Sequence, residues 1–502
     1  MTIAETRNTE LARAQGLAER TNLQWIDLDA ERIDPAAVAT IPVELAEAAL
    51  AVPFGFDGPL LRIAIADPAT RAELLEQIDM PHEFVVAPRA SIINVLGSLR
   101  QTRRNAGSLI AVQSWFGSGA VDIEMASIGR AAESGSSDLH FVACEAGLAI
   151  RARVDGALRD IGNIPPSAAA AAISRLKVQA RLDITDNRRS QEGRLTMTSA
   201  SGREFDVRVT TIPTVAGEGA ALRILERTRT APTLTEIGLA PELQLALERL
   251  VHRRRGALLV TGPTGSGKST TIHAALTDIA RPELNVITVE DPVEYRLDGI
   301  YQIEVNPHAD VTFESGLRSI LRSDPDVIAV GEMRDLQTAA MTLKAALTGS
   351  FVLSTLHTTD APAALTRLQD MGVEPYVTAA TVTAVLAQRL VRRLCVHCRE
   401  RYEVRPDEAR ELKIEDADQL FLFRGRGCDH CDRGYRGQIG IHQLMLVDDE
   451  IRRLALARAS HEEVTAAAKA AGMRSLWEDG LAKALAGLTS VEELRAALPA
   501  EV

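Results

Sequence analysis

Hydrophobic and polar positions change their rhythm several times along the chain, and each change marks an element or a boundary. Leu11–Arg20 predicts a short helix. Leu60–Ile65 alternates as a strand does and ends in the turn Ala66-Asp67-Pro68; Phe84–Ala87 predicts another strand, and Ser91 to about Arg100 a helix. Residues 101–120 lose periodicity and gain Gly and Ser, which reads as a linker over 101–121. A helix resumes near Ile123 and stops at the Ser-Gly-Ser-Ser cluster of 134–137. From 138 to about 225 the texture is strand-rich, with one helix over Ser167–Ala180, predicting a small α+β domain within 122–227. Thr228–Thr233, with Pro232, reads as a hinge.

From 234 to 390 helical stretches alternate with short apolar runs: ALLVTG, NVITVED, DVIAVGE and FVLSTLH. That alternation predicts a parallel sheet with helices on both faces. A cysteine-bearing segment follows over 391–445, then a charged helical tail over 446–502. With an N-terminal domain over 1–100, the expected fold is multidomain α/β.

Composition narrows the class. The 502 residues are 46% hydrophobic and 25% charged, which is globular, and only 4% aromatic, which predicts an aliphatic core. A formal net charge of −12 argues against a nucleic-acid partner, whose phosphates call for a basic footprint. The polar start MTIAETRNTE does not read as a signal peptide, and no run approaches the roughly 18 apolar residues of a membrane helix. The expectation is a cytoplasmic protein that reaches a membrane only through partners.

Gly262-Pro263-Thr264-Gly265-Ser266-Gly267-Lys268-Ser269 satisfies GxxxxGK[ST] between a strand, Ala257–Val260, and a helix, Thr270–Ile279. Glycines let backbone N–H groups turn around a phosphate, and the helix N-terminus adds partial positive charge. Lys268 is expected on the β- and γ-phosphates and Ser269 on Mg²⁺. Hydrolysis also needs a group that orients or deprotonates water. Val286–Val289 runs into Glu290 and Val327–Val330 into Gly331-Glu332; parallel strands would deliver both carboxylates to the phosphate-loop edge. Asp335 reads as a helix cap.

Four of the five cysteines form two CxxC pairs, Cys395/Cys398 and Cys428/Cys431, separated by 29 residues. Four thiolates make a closed tetrahedral site suited to structural Zn²⁺, with a binding free energy on the order of 10 kcal/mol. Cys144 stands alone and reads as a small buried residue.

GPTGSGKST, ITVEDPVEY, LRSDPDVIAVGEMRD and LSTLHTTDA resemble the Walker A, Asp box, Walker B and His box of the type II secretion and type IV pilus-assembly ATPases. The resemblance implies a RecA-like ATP hydrolase working as a homo-hexamer, with Glu332 as general base, Glu290 positioning water or metal, and His357 sensing the γ-phosphate. On the residues alone, His357 is equally a satisfied strand-end histidine. DVRVTTIPTVAGEGAALRIL resembles the domain preceding the motor in that family, implying that Arg208 and Arg223 close over the nucleotide. Arg318 and Arg322 match arginines of the same or a neighbouring subunit's motor. The tetracysteine segment resembles that of secretion and pilus-extension members. The first hundred residues resemble the N-terminal domain that docks on a membrane-anchored cytoplasmic partner, and the implied work is passed to an inner-membrane platform. Ser350, Gln337, Gln438 and Gln443 depart from the family pattern. Two rival readings are a RecA-like nucleic-acid translocase and an ATP-binding scaffold without turnover.

Overall fold

The computed structural model describes residues 14–498 apart from 22, 29–33, 39, 42–44, 47–48, 59, 72–77, 79, 90, 94, 97–122, 200, 228–229, 413 and 415–419. The linker expected over 101–121 and the first two hinge residues lie outside the described residues. The chain divides into two compact units, one of residues 1–123 with 161–163, the other of 124–160 and 164–502.

The first unit holds a four-stranded sheet ordered β1-β4-β3-β2, from β1 (Gln24–Trp25), β2 (Ala51–Asp57), β3 (Leu60–Ile65) and β4 (His82–Val86). Strands β1, β4 and β3 run parallel and β2 antiparallel to β3. Leu61, Ile63, Ile65, Val52, Phe54 and Val85 supply its core. Asp67 caps the turn after β3, its Oδ1 accepting from the Ala69 N–H at 2.9 Å.

In the second unit, α1 (Ile123–Glu133) ends at the expected serine cluster. Strands β5 (Asp138–Cys144), β6 (Gly147–Val154) and β7 (Ala157–Ile164) precede α2 (Pro166–Gln179); β8 (Gln191–Thr198), β9 (Glu204–Thr214) and β10 (Gly217–Glu226) follow it. They form one sheet ordered β7-β6-β5-β10-β9-β8. Phe205, Val207 and Val209 of β9 are buried at alternate positions, and α2 packs on the sheet through Ile173 and Leu176. Period-two alternation assigns the residues between them to the opposite face. Cys144 is half-buried rather than buried, because it sits at the open end of β5 beside Gly147.

The parallel-sheet domain begins with α3 (Pro241–Val251), β11 (Gly256–Thr261), α4 (Lys268–Ile279), β12 (Val286–Glu290) and β13 (Tyr301–Glu304). It continues with α5 (Phe313–Ile320), β14 (Val327–Val330), α6 (Leu336–Thr348), β15 (Phe351–Leu356), α7 (Ala363–Asp370), α8 (Pro375–Thr381) and β16 (Val382–Leu394). Beyond lie β17 (Arg399–Glu403), α9 (Pro406–Glu411), β18 (Phe421–Gly425), β19 (Tyr435–Leu446) and four helices, α10 (Asp449–Leu456), α11 (His461–Ala470), α12 (Leu476–Leu485) and α13 (Val491–Ala497). The seven-stranded sheet is ordered β13-β12-β14-β15-β11-β16-β19 and is parallel except for β16 against β19. Helices cover both faces, so every residue of β11 is buried, Ala257 and Leu259 in one core and Leu258 and Val260 in the other. Each leucine or valine among them stabilises by roughly 1.5–3 kcal/mol on full burial.

The expected boundary between 390 and 391 falls inside β16, and β19 closes the same sheet. The cysteine segment therefore lies between two antiparallel strands of one sheet. Sequence pattern does not mark the pairing of β16 with β19, because an antiparallel edge pair in a parallel sheet carries no separate periodicity.

Candidate active site and cysteine centre

Strand order sets the site. Along the carboxyl edge come Glu290 at the end of β12, Glu332 after β14, His357 after β15, the phosphate loop after β11, and Gln388 on β16. Side chains tie these ends together. Thr355 Oγ1 donates to Gly331 O at 2.7 Å, and Ser354 Oγ to Val330 O at 2.8 Å. The Thr358 N–H donates to Thr261 Oγ1 at 2.9 Å.

The loop itself is glycine-dependent. Gly262, Gly265 and Gly267 have φ of 151°, 77° and 84°, a region that favours residues without a Cβ. A Cβ on Gly262 would lie 2.5 Å from both Gln388 O and Ser266 Oγ. Pro263, Thr264 and Gly265 form the exposed rim; Ser266 is buried, with its hydroxyl unpartnered among the described residues. Lys268 is 9% exposed and its Nζ donates to Gly262 O and Pro263 O at 3.0 and 2.9 Å. Burial, opposed by the Glu332 carboxylate, pulls its pKa down. A backbone cradle too narrow for a Cβ, at a helix N-terminus with a buried ammonium, fits a polyphosphate. Ser269 and Thr270, half-buried in the first turn of α4, stand where a magnesium ion on that polyphosphate would be met.

Glu332 and Glu290 arrive side by side, since the Gly331 N–H donates to Val289 O at 2.8 Å, but their carboxylates enter different surroundings. Glu332 pairs with Arg334 and lies 3.6 Å from His357 Nε2. Burial raises its pKa, but Arg334 and His357 outweigh burial and leave it lowered, so it stays ionised. Glu290 is 6% exposed and fully engaged: His273 Nε2 lies 2.8 Å away, Thr288 Oγ1 donates at 2.6 Å and Gln302 Nε2 at 3.1 Å. His273 Nδ1 lies 2.7 Å from Ser269 O. Both imidazole nitrogens face acceptors, which makes the ring a cation; burial opposes this, but Glu290 outweighs it and raises the His273 pKa. Glu332 thus lies at the edge that carries the phosphate loop, whereas Glu290 turns to the base of α4.

Arg208 and Arg223 lie on the open face of the preceding domain, in register on β9 and β10. Arg318 and Arg322 are exposed on or just after α5, Arg318 paired with Glu314, and neither has a contact to the phosphate loop among the described residues. Three residues of the site escaped the sequence reading. His273 and Gln388 are polar residues in otherwise buried runs of α4 and β16, a signal that was available. Gln388 clamps the loop, its Nε2 donating to Ser266 O at 2.6 Å and its Oε1 accepting from Thr271 Oγ1 at 2.9 Å. Arg334 is two residues past Glu332, where only the fold shows that it turns back.

The four cysteine sulfurs all lie within 4.8 Å of one another. Cys395–Cys428, Cys398–Cys431 and Cys428–Cys431 are 3.8, 3.6 and 3.6 Å apart. A tetrahedron with Zn–S bonds of about 2.3 Å has edges of about 3.8 Å, so the donor set fits zinc. Burial pushes the Cys431 thiol up to about 12 and raises that of Cys398, so thiolates at these two positions call for a neighbouring cation. His397 and His430 stack beside the cluster with centroids 4.6 Å apart.

Residues 119–496 match the family model "Type II/IV secretion system protein", and residues 21–106 match the MshEN domain. The chain is 44% identical over 370 residues to type II secretion system ATPase E of Vibrio cholerae, covering 74% of this chain and 73% of that protein. It is 36% identical over 510 residues to the type IV pilus assembly ATPase PilB of Thermus thermophilus, covering 97% of this chain and 57% of that one. The solved structure of the Legionella pneumophila ATPase DotB has a TM-score of 0.56 at 21% identity, over 76% of this chain and 95% of that one, a likeness of fold alone.

Proposed function

The chain belongs to the type II/IV secretion system protein family, and from that premise we propose that it is the motor of a type II secretion system. It hydrolyses ATP in the cytoplasm to drive pseudopilin assembly and protein export across the outer membrane. The observation that carries this reading is the alignment of the phosphate loop, Glu332 and His357 along one sheet edge in a chain so similar to secretion ATPases.

The geometry supports a role for each site residue. Lys268 and the N–H groups of the loop bind the β- and γ-phosphates. Mg²⁺, held by Ser269, would neutralise phosphate charge. Glu332, held ionised by Arg334 and His357, orients the attacking water and accepts its proton. Glu290 acts at one remove: through His273 it fixes the turn that carries Ser269. Arg208 and Arg223 neutralise phosphate charge from the preceding domain, and Arg318 and Arg322, exposed here, act on a neighbouring subunit of a hexamer. Zinc on Cys395, Cys398, Cys428 and Cys431 is structural, since four protein ligands leave no open position. The N-terminal domain docks on a membrane-anchored cytoplasmic partner, and the motion passes to an inner-membrane platform.

A second reading is the motor of type IV pilus extension, favoured by the PilB match over 97% of this chain. Steady-state ATPase activity of the wild type and Glu332→Gln, with oligomer mass read in the same samples, tests the motor. Turnover that rises with assembly and is lost in the variant supports it; turnover by an isolated subunit overturns it. Stimulation by a pseudopilin platform rather than a pilus platform separates the two readings.

A further inference from the structure

The register of the preceding domain's sheet puts three arginines in one row. Arg194 on β8 is paired opposite Arg208 on β9, and Arg208 opposite Arg223 on β10. Paired residues project from the same face, and neighbouring strands lie about 4.8 Å apart, so three guanidinium groups rise from a strip roughly 10 Å wide. Like charges directly opposite destabilise a sheet, so such a row calls for anions.

The row's two ends have carboxylates. Arg223 Nε lies 3.3 Å from Asp138, and Arg194 Nη1 donates to Glu304 Oε1 at 2.8 Å. Arg208, in the middle, is different. Its Nη2 is buried without a hydrogen-bond partner among the described residues. Burial and then the Arg194 charge weigh against its own charge, while Asp291 and Glu304 support it. Glu304 ends β13 in register with Glu290 on β12, so the row faces the carboxyl edge of the motor sheet. The Arg194–Glu304 pair has 61% and 37% of its side chains exposed, and an ion pair so exposed exchanges readily for a stronger anion.

We propose that Arg194 is a third arginine of the nucleotide-closing row, and that Glu304 is a built-in carboxylate competitor which ATP phosphate displaces from it. The proposal rests on the reading that Arg208 and Arg223 close over ATP. Arg194 would then act on binding of the triphosphate as the domain closes, with Glu304 setting the threshold.

Steady-state ATPase kinetics of the assembled full-length chain test this, with Arg194→Ala, Arg194→Lys, Glu304→Gln, the Arg194→Ala/Glu304→Gln double variant and Arg208→Ala measured together. Arg151→Ala, on the same sheet but paired with Asp160, is the surface-charge control. Arg194→Ala is expected to raise the KM for ATP at least fivefold with a smaller change in kcat, and Arg194→Lys to restore part of it. Glu304→Gln is expected to lower KM severalfold, an effect that disappears in the double variant. A KM for Arg194→Ala within twofold of wild type, or a rise matched by Arg151→Ala, overturns the proposal. So does a Glu304→Gln effect that persists without Arg194. If Arg208→Ala is inactive while Arg194→Ala is unchanged, only the role of Arg194 falls. Full turnover by Arg208→Ala overturns the closing-arginine reading beneath it.

Discussion

At the scale of single residues, the two carboxylates after β12 and β14 differ in what surrounds them rather than in chemistry. Glu290 is buried with three hydrogen-bond partners, so removing its charge leaves the His273 cation without its counter-ion. Glu290→Gln is expected to cost about 1–3 kcal/mol of stability in thermal or denaturant unfolding. Glu332→Gln, at a half-open edge, is expected to leave the melting temperature within a degree or two, retain ATP binding, and lower turnover by about 10²- to 10⁴-fold. Equal stability losses in the two variants would contradict this division of labour. His442 gives a pH-dependent case. It is fully buried on β19, and burial, then the Lys483 charge, lower its pKa to about 3. An unfolded chain binds that proton from about pH 6.5 downward while the folded chain does not, so stability is lost as pH falls below 6.5. The slope reaches about 1.4 kcal/mol per pH unit. Wild-type melting is therefore expected to fall between pH 6.5 and 4.5 relative to His442→Leu; parallel profiles would refute it.

At the scale of elements, caps and strand ends decide position. Asp335 begins α6, its Oδ1 accepting from the Thr338 N–H at 2.8 Å, which is the capping role its place after GEMR suggested. Asp335→Ala is expected to cost about 1 kcal/mol with ATP binding intact, and Asp335→Asn much less. The cysteine insertion depends on a different support. Strands β17 and β18 pair with each other, and the segment joins its surroundings through contacts such as Arg399 Nη1 donating to Gly487 O at 2.7 Å and Tyr435 Oη lying 2.7 Å from Ser490 Oγ. Cys428→Ser is expected to lower bound zinc, read by elemental analysis, and to speed amide exchange across 395–435. Full metal retention would argue against the four-sulfur site. Ser350 and Gln443, which depart from the family pattern, are both used structurally: Ser350 Oγ donates to Pro325 O at 2.9 Å and Gln443 Oε1 accepts from the Ala361 N–H at 2.8 Å.

At the scale of the second unit, the cysteine insertion also supports the domain preceding the motor. The turn between β6 and β7, Asp155-Gly156, reaches the start of β19 just beyond it: Asp155 Oδ2 accepts from the Gly437 N–H at 2.7 Å. Arg159 pairs at 2.5 Å with Asp432, the residue after Cys431, and both are mostly buried. Zinc removal is thus expected to raise exchange at 154–159 as well as at 395–435, leaving α4 protected. Loosening confined to the cysteine segment would show that this contact carries no load. Exchange followed by mass spectrometry on the full chain reads both regions at once.

Local chemistry made much of this legible in the chain alone. Glycines at positive φ, an apolar run before them and a helix after them specify the phosphate loop without help from distant residues, and CxxC spacing brings thiols together in pairs. The end of α1, the face alternation of β9 and the cap at Asp335 follow from the same short-range rules. What the chain alone could not decide is which distant segments become neighbours. Gln388 meets the loop from 122 residues away, Arg194 meets Glu304 from 110, and Glu290 turns to His273 rather than to Glu332. These partnerships arise from strand order and register, which are set by the summed burial of two cores on either side of one sheet, and no short window of sequence contains that sum.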